Sequence, residues 1–249
     1  MPIDRARGRP YMSEVASFVE RTMHFSIIIP VLNEEAVLEA TLARLTRQAG
    51  GQHYELIIVD GDSSDSTVAI AERYGRVISS SCGRATQMNA GAAVASGDVL
   101  LFLHADTQMP DNAFCAIEQA LASPEVVAGA FRLCFNCDRW PYRLVAYITN
   151  LRSLVRKVFT GDQAYFMRAS SFRASGGYPD QPLMEDLEII ARLRKRGKVI
   201  LLSQYVTTSA RRHEKIGLLR SVLFMWYLRT LYRFGVSPAQ LRRMYVEVR

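Results

Sequence analysis

The sequence predicts an α/β fold with a mostly parallel, doubly wound central sheet flanked by helices. Two observations carry this. Short apolar runs alternate with helical stretches through the first hundred residues, the order that builds parallel sheets. Val99-Leu100-Leu101-Phe102-Leu103 is apolar without interruption, as a strand covered on both faces must be. That run ends in His104-Ala105-Asp106-Thr107. In an open α/β sheet, ligands bind beyond the carboxyl ends of the strands. His104 and Asp106 are therefore candidates for a metal or phosphate site. The alternative for both is a capped turn.

The elements follow in order. Residues 1–24 read as an N-terminal extension, with a disordered Arg- and Pro-containing start and a short helix over 13–21. Phe25-Ser26-Ile27-Ile28-Ile29-Pro30 is the first strand. Asn33 is suited to cap the helix that follows, with Glu34 and Glu35 in its first turn. Val37, Leu38, Leu42 and Leu45 keep that helix in register. Residues 55–60 form a second strand running into the polar turn 61–67. A helix over 68–74, a short strand at Val77-Ile78 and a helix of small residues over 83–95 come next.

The second half changes character. Residues 126–135 read as a longer strand. Over 142–159, Leu144, Tyr147, Ile148, Leu151, Leu154, Val155 and Val158 make one apolar helical face, with Arg152, Arg156 and Lys157 off it. A strand over 163–167, a turn at 176–179, a helix over 185–194 and a strand over 199–206 follow. A second apolar helix over 216–234 carries Arg220, Arg229 and Arg233. The two amphipathic helices pack onto the domain or a second chain, or else lie on a membrane with their cations at the headgroups.

Composition narrows the class. Of the 249 residues, 49% are hydrophobic, enough for one large core or two small ones. A net charge of +7 favours anionic partners. There is no apolar run of about 20 residues to span a membrane, and no signal-peptide core, so the expected location is the cytoplasm. The four cysteines are too few for a disulfide scaffold. Cys134 and Cys137 lack the further ligands a metal needs and read as small core residues.

Acidic groups follow strands or turns at Asp60/Asp62, Asp106 and Glu185/Asp186, with Arg84, Gln87 and Asn89 between the first two. Loops after parallel strands meet on one rim, where gathered carboxylates repel unless a cation or donors compensate. The alternative, that each cluster caps its own helix, explains Asp65 and Thr67. It fails for Asp60, which precedes Gly61 too early to cap at 68.

Four motifs, Ile28-Ile29-Pro30-Val31-Leu32-Asn33-Glu34, Ile58-Val59-Asp60-Gly61-Asp62, His104-Ala105-Asp106 and Met184-Glu185-Asp186, stand in an order and at spacings that resemble the family 2 glycosyltransferases. The resemblance covers roughly residues 25–215. Phe102-Leu103-His104-Ala105-Asp106-Thr107 and Pro182-Leu183-Met184-Glu185-Asp186 further resemble a bacterial subgroup labelled arsenosugar-biosynthesis glycosyltransferases. It implies a GT-A (nucleotide-diphospho-sugar transferase) fold over 25–215, with a C-terminal amphipathic helical extension over 216–249.

The resemblance also implies roles. Pro30, Asn33, Glu34, Asp60 and Asp62 hold the base and ribose of a nucleotide-sugar. Arg84 meets the diphosphate or base, and Asn89 orients the same region. His104, Ala105 and Asp106 stand at the family's D-x-D motif, with Asp106 on a divalent cation, Mn2+ or Mg2+. His104 replaces the more common Asp, and an imidazole tilts the site toward manganese. His213 is a late candidate metal ligand or diphosphate contact, with a solvated basic turn as its alternative. Asp186 is the general base that deprotonates an acceptor hydroxyl in an inverting transfer, and Glu185 positions it. Asp162 touches sugar or acceptor, or serves only its turn.

The implied partners are a nucleotide-sugar donor and a small-molecule or lipid-linked acceptor, with peripheral membrane contact or a homodimer through the amphipathic helices. Three rivals remain at this stage. A nucleotidyltransferase needs a Gly- and Lys/Arg-rich loop after the first strand, where this chain is acidic. A nucleic-acid-binding protein lacks the aromatic-plus-basic modules, so no nucleic acid is expected. A binding-only relative would have no use for the Glu185-Asp186 pair.

Overall fold

The computed structural model describes residues 23–245; the helix expected over 13–21 lies outside them. Among the described residues, eight strands form one sheet in the order β3-β2-β1-β4-β7-β6-β8-β5. They are β1 (Phe25–Val31), β2 (Tyr54–Asp60), β3 (Arg76–Ser79), β4 (Val99–Phe102), β5 (Thr107–Gln108), β6 (Val126–Phe135), β7 (Tyr165–Arg168) and β8 (Lys198–Thr208). β1 pairs in parallel with β2 and β4, β2 with β3, and β6 with β8. β7 runs antiparallel between β4 and β6, and β5 antiparallel to β8. Six strands thus point one way and two the other, so the sheet is mixed with a parallel majority. The carboxyl ends of β1, β2, β4, β6 and β8 share a rim with the amino end of β7, which brings residues 160–163 to the same edge.

The strands are buried on alternating faces. Ile27, Ile29, Leu101 and Phe166 pack in one apolar layer with Leu38, Leu42 and Leu45 of α1 (Glu35–Gln48), and with Phe114 and Ile117 beyond β5. Ile28, Leu100, Phe102 and Met167 face the other layer, with Met88 of α3 (Arg84–Val94) and with Ile189, Ile190 and Leu193 of α7 (Glu185–Leu193). Two covered faces explain why these strands show no polar alternation. α3 lies so close to the sheet that a Cβ on Gly91 would sit 2.5 Å from Ile28 Cγ2 and 3.0 Å from Val59 Cγ2.

Between these elements lie α2 (Thr67–Ala71), α4 (Ala113–Leu121), α5 (Trp140–Arg156) and α6 (Ala169–Ala174). β5, α4 and α6 were not expected from the sequence. All are short, and β5 exists only through its pairing with β8. The helix expected over 216–234 is present as α9 (Leu218–Arg233); a further helix, α8 (Arg211–Ile216), precedes it and is separated from it by Gly217 with φ 90°. α10 (Pro238–Met244) was also missed, although Ser237-Pro238-Ala239-Gln240 forms a capping box with Pro at the helix start. Leu228 and Leu241 of these last helices pack on Leu183 and Met184, just before α7.

The apolar face of α5 narrows the alternatives. Leu144, Tyr147, Ile148, Leu151, Leu154 and Val155 do not pack onto the domain; all are exposed. Tyr142, Ala146 and Ser153 turn inward instead. The cysteines are free: Cys134 lies next to the end of β6, with its Sγ 3.3 Å from the Val206 carbonyl, and Cys137 is half-buried just outside the strand.

Gly91→Ala is expected to destabilise the chain by about 1–3 kcal/mol through overpacking of α3 against β1 and β2. Urea unfolding measures it.

Candidate active site

The rim collects its side chains in a cleft of about 450 Å³. Pro30 near the end of β1 and Glu34 after it line the cleft, with His104, Ala105 and Asp106 after β4 and Asp162 before β7. Arg84 enters from the start of α3, Glu185 and Asp186 from the start of α7, and Arg211, Arg212 and His213 from α8. Asn33, Asp60 and Asp62 line an adjoining hollow with residues 79–82, and Leu32 and Cys82 border both spaces. Most of the sequence-predicted residues therefore meet in two connected hollows.

The loop after β1 is locked to the loop after β2. Asn33 does not cap α1. It is left-handed (φ 55°), and its Oδ1 accepts from the Ser64 amide at 2.9 Å. The Glu34 amide donates to Thr67 Oγ1 at 2.8 Å. Asp60 accepts the amides of Asp62 and Ser63 at 3.1 Å on Oδ2, so this strand-terminal carboxylate shapes its own loop. Beneath them, the buried Gln87 amide donates to the carbonyls of Val31 and Val59, both at 2.8 Å. Gln87 thus ties the ends of β1 and β2 to α3 and sets where Arg84 emerges.

Carboxylates and guanidinium groups interleave in the cleft. Arg211 Nη2 lies 2.6 Å from Glu34 Oε2 and 3.3 Å from Asp106 Oδ2. Arg84 Nη1 lies 3.8 Å from Glu185 Oε1. Asp186 accepts from the Leu187 amide at 2.8 Å and from the Gly161 amide at 3.3 Å. A Cβ on Gly161 would fall 2.8 Å from His104 Nε2, so only glycine lets the imidazole lie against this turn. The turn over Gly161–Gln163 is braced by buried Gln163, whose Oε1 accepts from the Thr160 amide while its Nε2 donates to the Phe131 carbonyl.

Burial sets the protonation tendencies. It raises the Asp106 carboxyl above the usual range, against the pull of Arg211. It raises Asp186, with Arg229 and Arg84 opposing. Burial and the neighbouring Asp186 both raise Glu185, which Arg84 holds back. Desolvation works against the charge on Arg84, but Glu185 and further acidic groups keep its pKa above the ordinary value. His104 is pushed down to about 3 by burial and by Arg84, so its imidazole is neutral at pH 7.

Three expected residues stand apart. Asn89 lines neither hollow; its side chain clamps Tyr178, donating to the carbonyl and accepting from the amide, both at 2.9 Å. It positions the Gly177-Tyr178 turn, which corrects its expected place near the donor. His213 lines the cleft, but its Nδ1 is bonded to Ser221 Oγ and its ring packs edge-on against Phe135 and Tyr142. Asp62 is exposed at the edge of the adjoining hollow with φ 79°. Among the described residues, no group of three or more His, Cys, Asp or Glu side chains is arranged to hold a metal ion unaided. His104, Asp106 and His213 therefore do not gather as a group of three.

Arg152 of α5, Arg229 of α9 and Tyr245 also line the cleft and were not foreseen. No sequence signal separates Arg152, facing the cleft, from Arg156 one turn later, which is exposed.

The family model for glycosyl transferase family 2 matches residues 26–175. A PGL/p-HBAD biosynthesis glycosyltransferase of Mycobacterium bovis is 43% identical over 93 residues, covering 34% of this chain and 36% of that protein. A dolichol-phosphate mannosyltransferase of Pyrococcus furiosus is 30% identical over 129 residues, covering 48% and 37%. The chain thus spans about a third of the length of these curated relatives. Among solved structures, a mannosyltransferase from Pyrobaculum calidifontis with GDP-Man and Mn2+ superposes at a TM-score of 0.62 and 19% identity, covering 88% of this chain and 67% of that one. Staphylococcus aureus TarS superposes at 0.60 and 17%, covering 76% and 61%. These likenesses establish the GT-A fold.

His104 has a testable consequence. An unfolded imidazole protonates near pH 6.5, while the folded one resists down to about 3. The unfolded state then binds more protons, so acidification from pH 6.5 toward 4 costs stability. His104→Gln is expected to lose less Tm than the parent over that interval in parallel thermal melts; equal losses would count against the burial argument.

Proposed function

The chain belongs to glycosyl transferase family 2, and from that membership we propose that it transfers a sugar from a nucleotide-sugar to an acceptor hydroxyl with inversion. The observation that carries this reading is the facing of Asp106 with Arg211 and Glu185-Asp186 with Arg84 across one cleft.

In this reading the hollow bordered by Asn33, Asp60 and Asp62 takes the base and ribose. The Asp60 carboxylate, held by two loop amides, retains lone pairs for a ribose hydroxyl or a base N–H. The diphosphate lies between Arg84 and Arg211. Asp186 accepts the proton of the attacking hydroxyl; its raised pKa brings it nearer the operating pH of a general base. Glu185, paired with Arg84, keeps that guanidinium beside the base. His104, neutral and packed on Gly161, positions the turn whose amide holds Asp186.

Asp106 fits a divalent cation, because magnesium is commonly held by one or two carboxylates completed by substrate phosphates. Held by Asp106, Mn2+ or Mg2+ would supply charge neutralisation for the leaving nucleoside diphosphate. The Pyrobaculum calidifontis mannosyltransferase, crystallised with GDP-Man and Mn2+, and the Mycobacterium tuberculosis glucosyl-3-phosphoglycerate synthase, crystallised with Mg2+ and UDP, support this choice.

The acceptor side supports a membrane-facing role. Twelve of the fourteen exposed large hydrophobic residues among the described ones lie on α5 and α9 or at their ends, including Trp140, Trp226 and Phe234. Arg139, Arg156, Arg220 and Arg233 are exposed around them. Aromatic and aliphatic groups ringed by cations suit an anionic bilayer surface. Among the described residues no helix is long and apolar enough to cross a membrane, so the contact is peripheral. The lipid phosphates in the names of dolichol-phosphate mannosyltransferase and undecaprenyl-phosphate 4-deoxy-4-formamido-L-arabinose transferase are consistent with a lipid-linked acceptor.

Asp186→Asn is expected to reduce transfer by about 10²–10⁴-fold while nucleoside diphosphate affinity stays near the parent's. Lost nucleotide affinity with transfer preserved would reverse the roles of base and binder. A radiochemical assay that also identifies the released product separates the nucleotidyltransferase alternative, which frees pyrophosphate. Asp106→Ala should abolish the Mn2+-dependent part of nucleoside diphosphate binding in calorimetry. The full chain should co-sediment with anionic vesicles, and a Trp140→Ser, Trp226→Ser, Phe234→Ser triple variant should not. A salt-insensitive dimer without vesicle binding would assign the face to a second copy instead.

A further inference from the structure

The arginines of the cleft are not equally occupied. Arg84 faces Glu185, and Arg211 is held by Glu34 and Asp106. Arg212 bonds the Tyr245 hydroxyl and lies over its ring. Arg152 has none of this. Its Nε and Nη2 are buried, and among the described residues they have no hydrogen-bond partner. Arg229, across from it on α9, makes no ion pair within the described residues and also lines the cleft. Asp162 Oδ1, at the same end, is buried and unpartnered as well.

A buried guanidinium with no hydrogen-bond partner is costly, and two near each other are costlier still; Asp162 and Asp186 offset that cost only through space. Burial and the proximity of Arg229 depress the Arg152 pKa to about 10. Buried polar groups in native proteins almost always have partners, so donors left open in a cleft mark where a ligand's acceptor atoms belong. The donor's diphosphate already has Arg84, Arg211 and Asp106. Arg152 and Arg229 sit instead on the walls formed by α5 and α9, and both act electrostatically on the Asp186 side of the cleft. Leu133, Val145, Val222 and Met225 supply apolar lining beside them. A guanidinium fork matches two oxygens of a phosphate or carboxylate, and phosphate offers the greater charge.

We propose that Arg152 and Arg229 form an anion subsite that holds the acceptor through a phosphomonoester, with the apolar lining receiving the rest of the molecule. Calling the ligand an acceptor rests on the transfer reading above; the anion subsite itself does not. The phosphate belongs either to a prenyl-type lipid reaching the cleft between α5 and α9, whose phosphate oxygen would itself attack the sugar because it carries no hydroxyl, or to a water-soluble phosphorylated compound that carries one. The Asp162 oxygen is left to accept from a hydroxyl of sugar or acceptor.

Calorimetry on the full chain tests this with UDP, GDP, geranyl phosphate, geraniol and glycerol 3-phosphate, each with Mn2+ present. At least one phosphate should bind and geraniol should not. Arg152→Met and Arg229→Met should each weaken that phosphate by about tenfold or more, the expected loss of a charged hydrogen-bonding partner, with nucleotide affinity retained. Arg152→Lys should fall between. Tighter binding of geranyl phosphate assigns the lipid source, and of glycerol 3-phosphate the soluble one. Because Arg152 is unpaired, Arg152→Met should melt no lower than the parent; a lower melting temperature would mean the guanidinium has a structural partner and would overturn the proposal. So would unchanged phosphate affinity in both Met variants, or nucleotide binding with no phosphate binding at all. Phosphate binding without any nucleotide binding would instead sink the transfer reading and leave the subsite standing.

Discussion

Concentrating carboxylates at one buried rim is the constraint on which the rest of this structure depends. Glu34, Asp106, Asp162, Glu185 and Asp186 reach one cleft from four different connections. Burial raises Asp106, Glu185 and Asp186 toward their neutral forms. Compensation comes from arginines carried on helices: Arg84 on α3, Arg152 on α5, Arg211 on α8 and Arg229 on α9. The helices must therefore stand at fixed positions over the rim. The close approach of α3 at Gly91 and the Gln87 bridge to two strand carbonyls serve that placement.

The antiparallel β7 has a similar consequence. Inserted between β4 and β6, it delivers its amino-terminal turn to the rim where the parallel strands deliver their carboxyl ends. That is how Gly161 comes to touch His104 on one side and bond Asp186 on the other. The loop after β4 and the start of α7 are coupled through this turn. Any shift of the turn moves both an imidazole contact and the hydrogen bond that orients the carboxylate.

α5 and α9 face two environments. Their inner sides place Arg152, Val145, Val222 and Arg229 in the cleft, while their outer sides expose Trp140, Ile148, Leu223 and Trp226. A helix that is apolar outside and cationic inside inverts the usual arrangement of a soluble domain. The inversion is coherent if the outer face meets lipid and the inner face meets an anionic ligand. It also explains why the apolar stripe over 142–159 was legible while its direction was not. Periodicity reports that a face is apolar, but not whether that face turns toward the core.

The sequence by itself determined every strand but β5, and the order of the rim. The unbroken run in β4 reads as a strand covered on both faces, and Asp60, Asp106 and Asp186 stand at element ends that reach two connected hollows. These are local patterns, set by side-chain period and by which residues end a strand. Only the tertiary structure decided strand direction, the turn of Asn89 away from the site and onto Tyr178, and the break at Gly217 that separates His213 from α9. It alone distinguished Arg152 from Arg156. Each of these depends on what lies across a gap of many residues, and hydrogen bonding and packing across such gaps leave no trace in local composition.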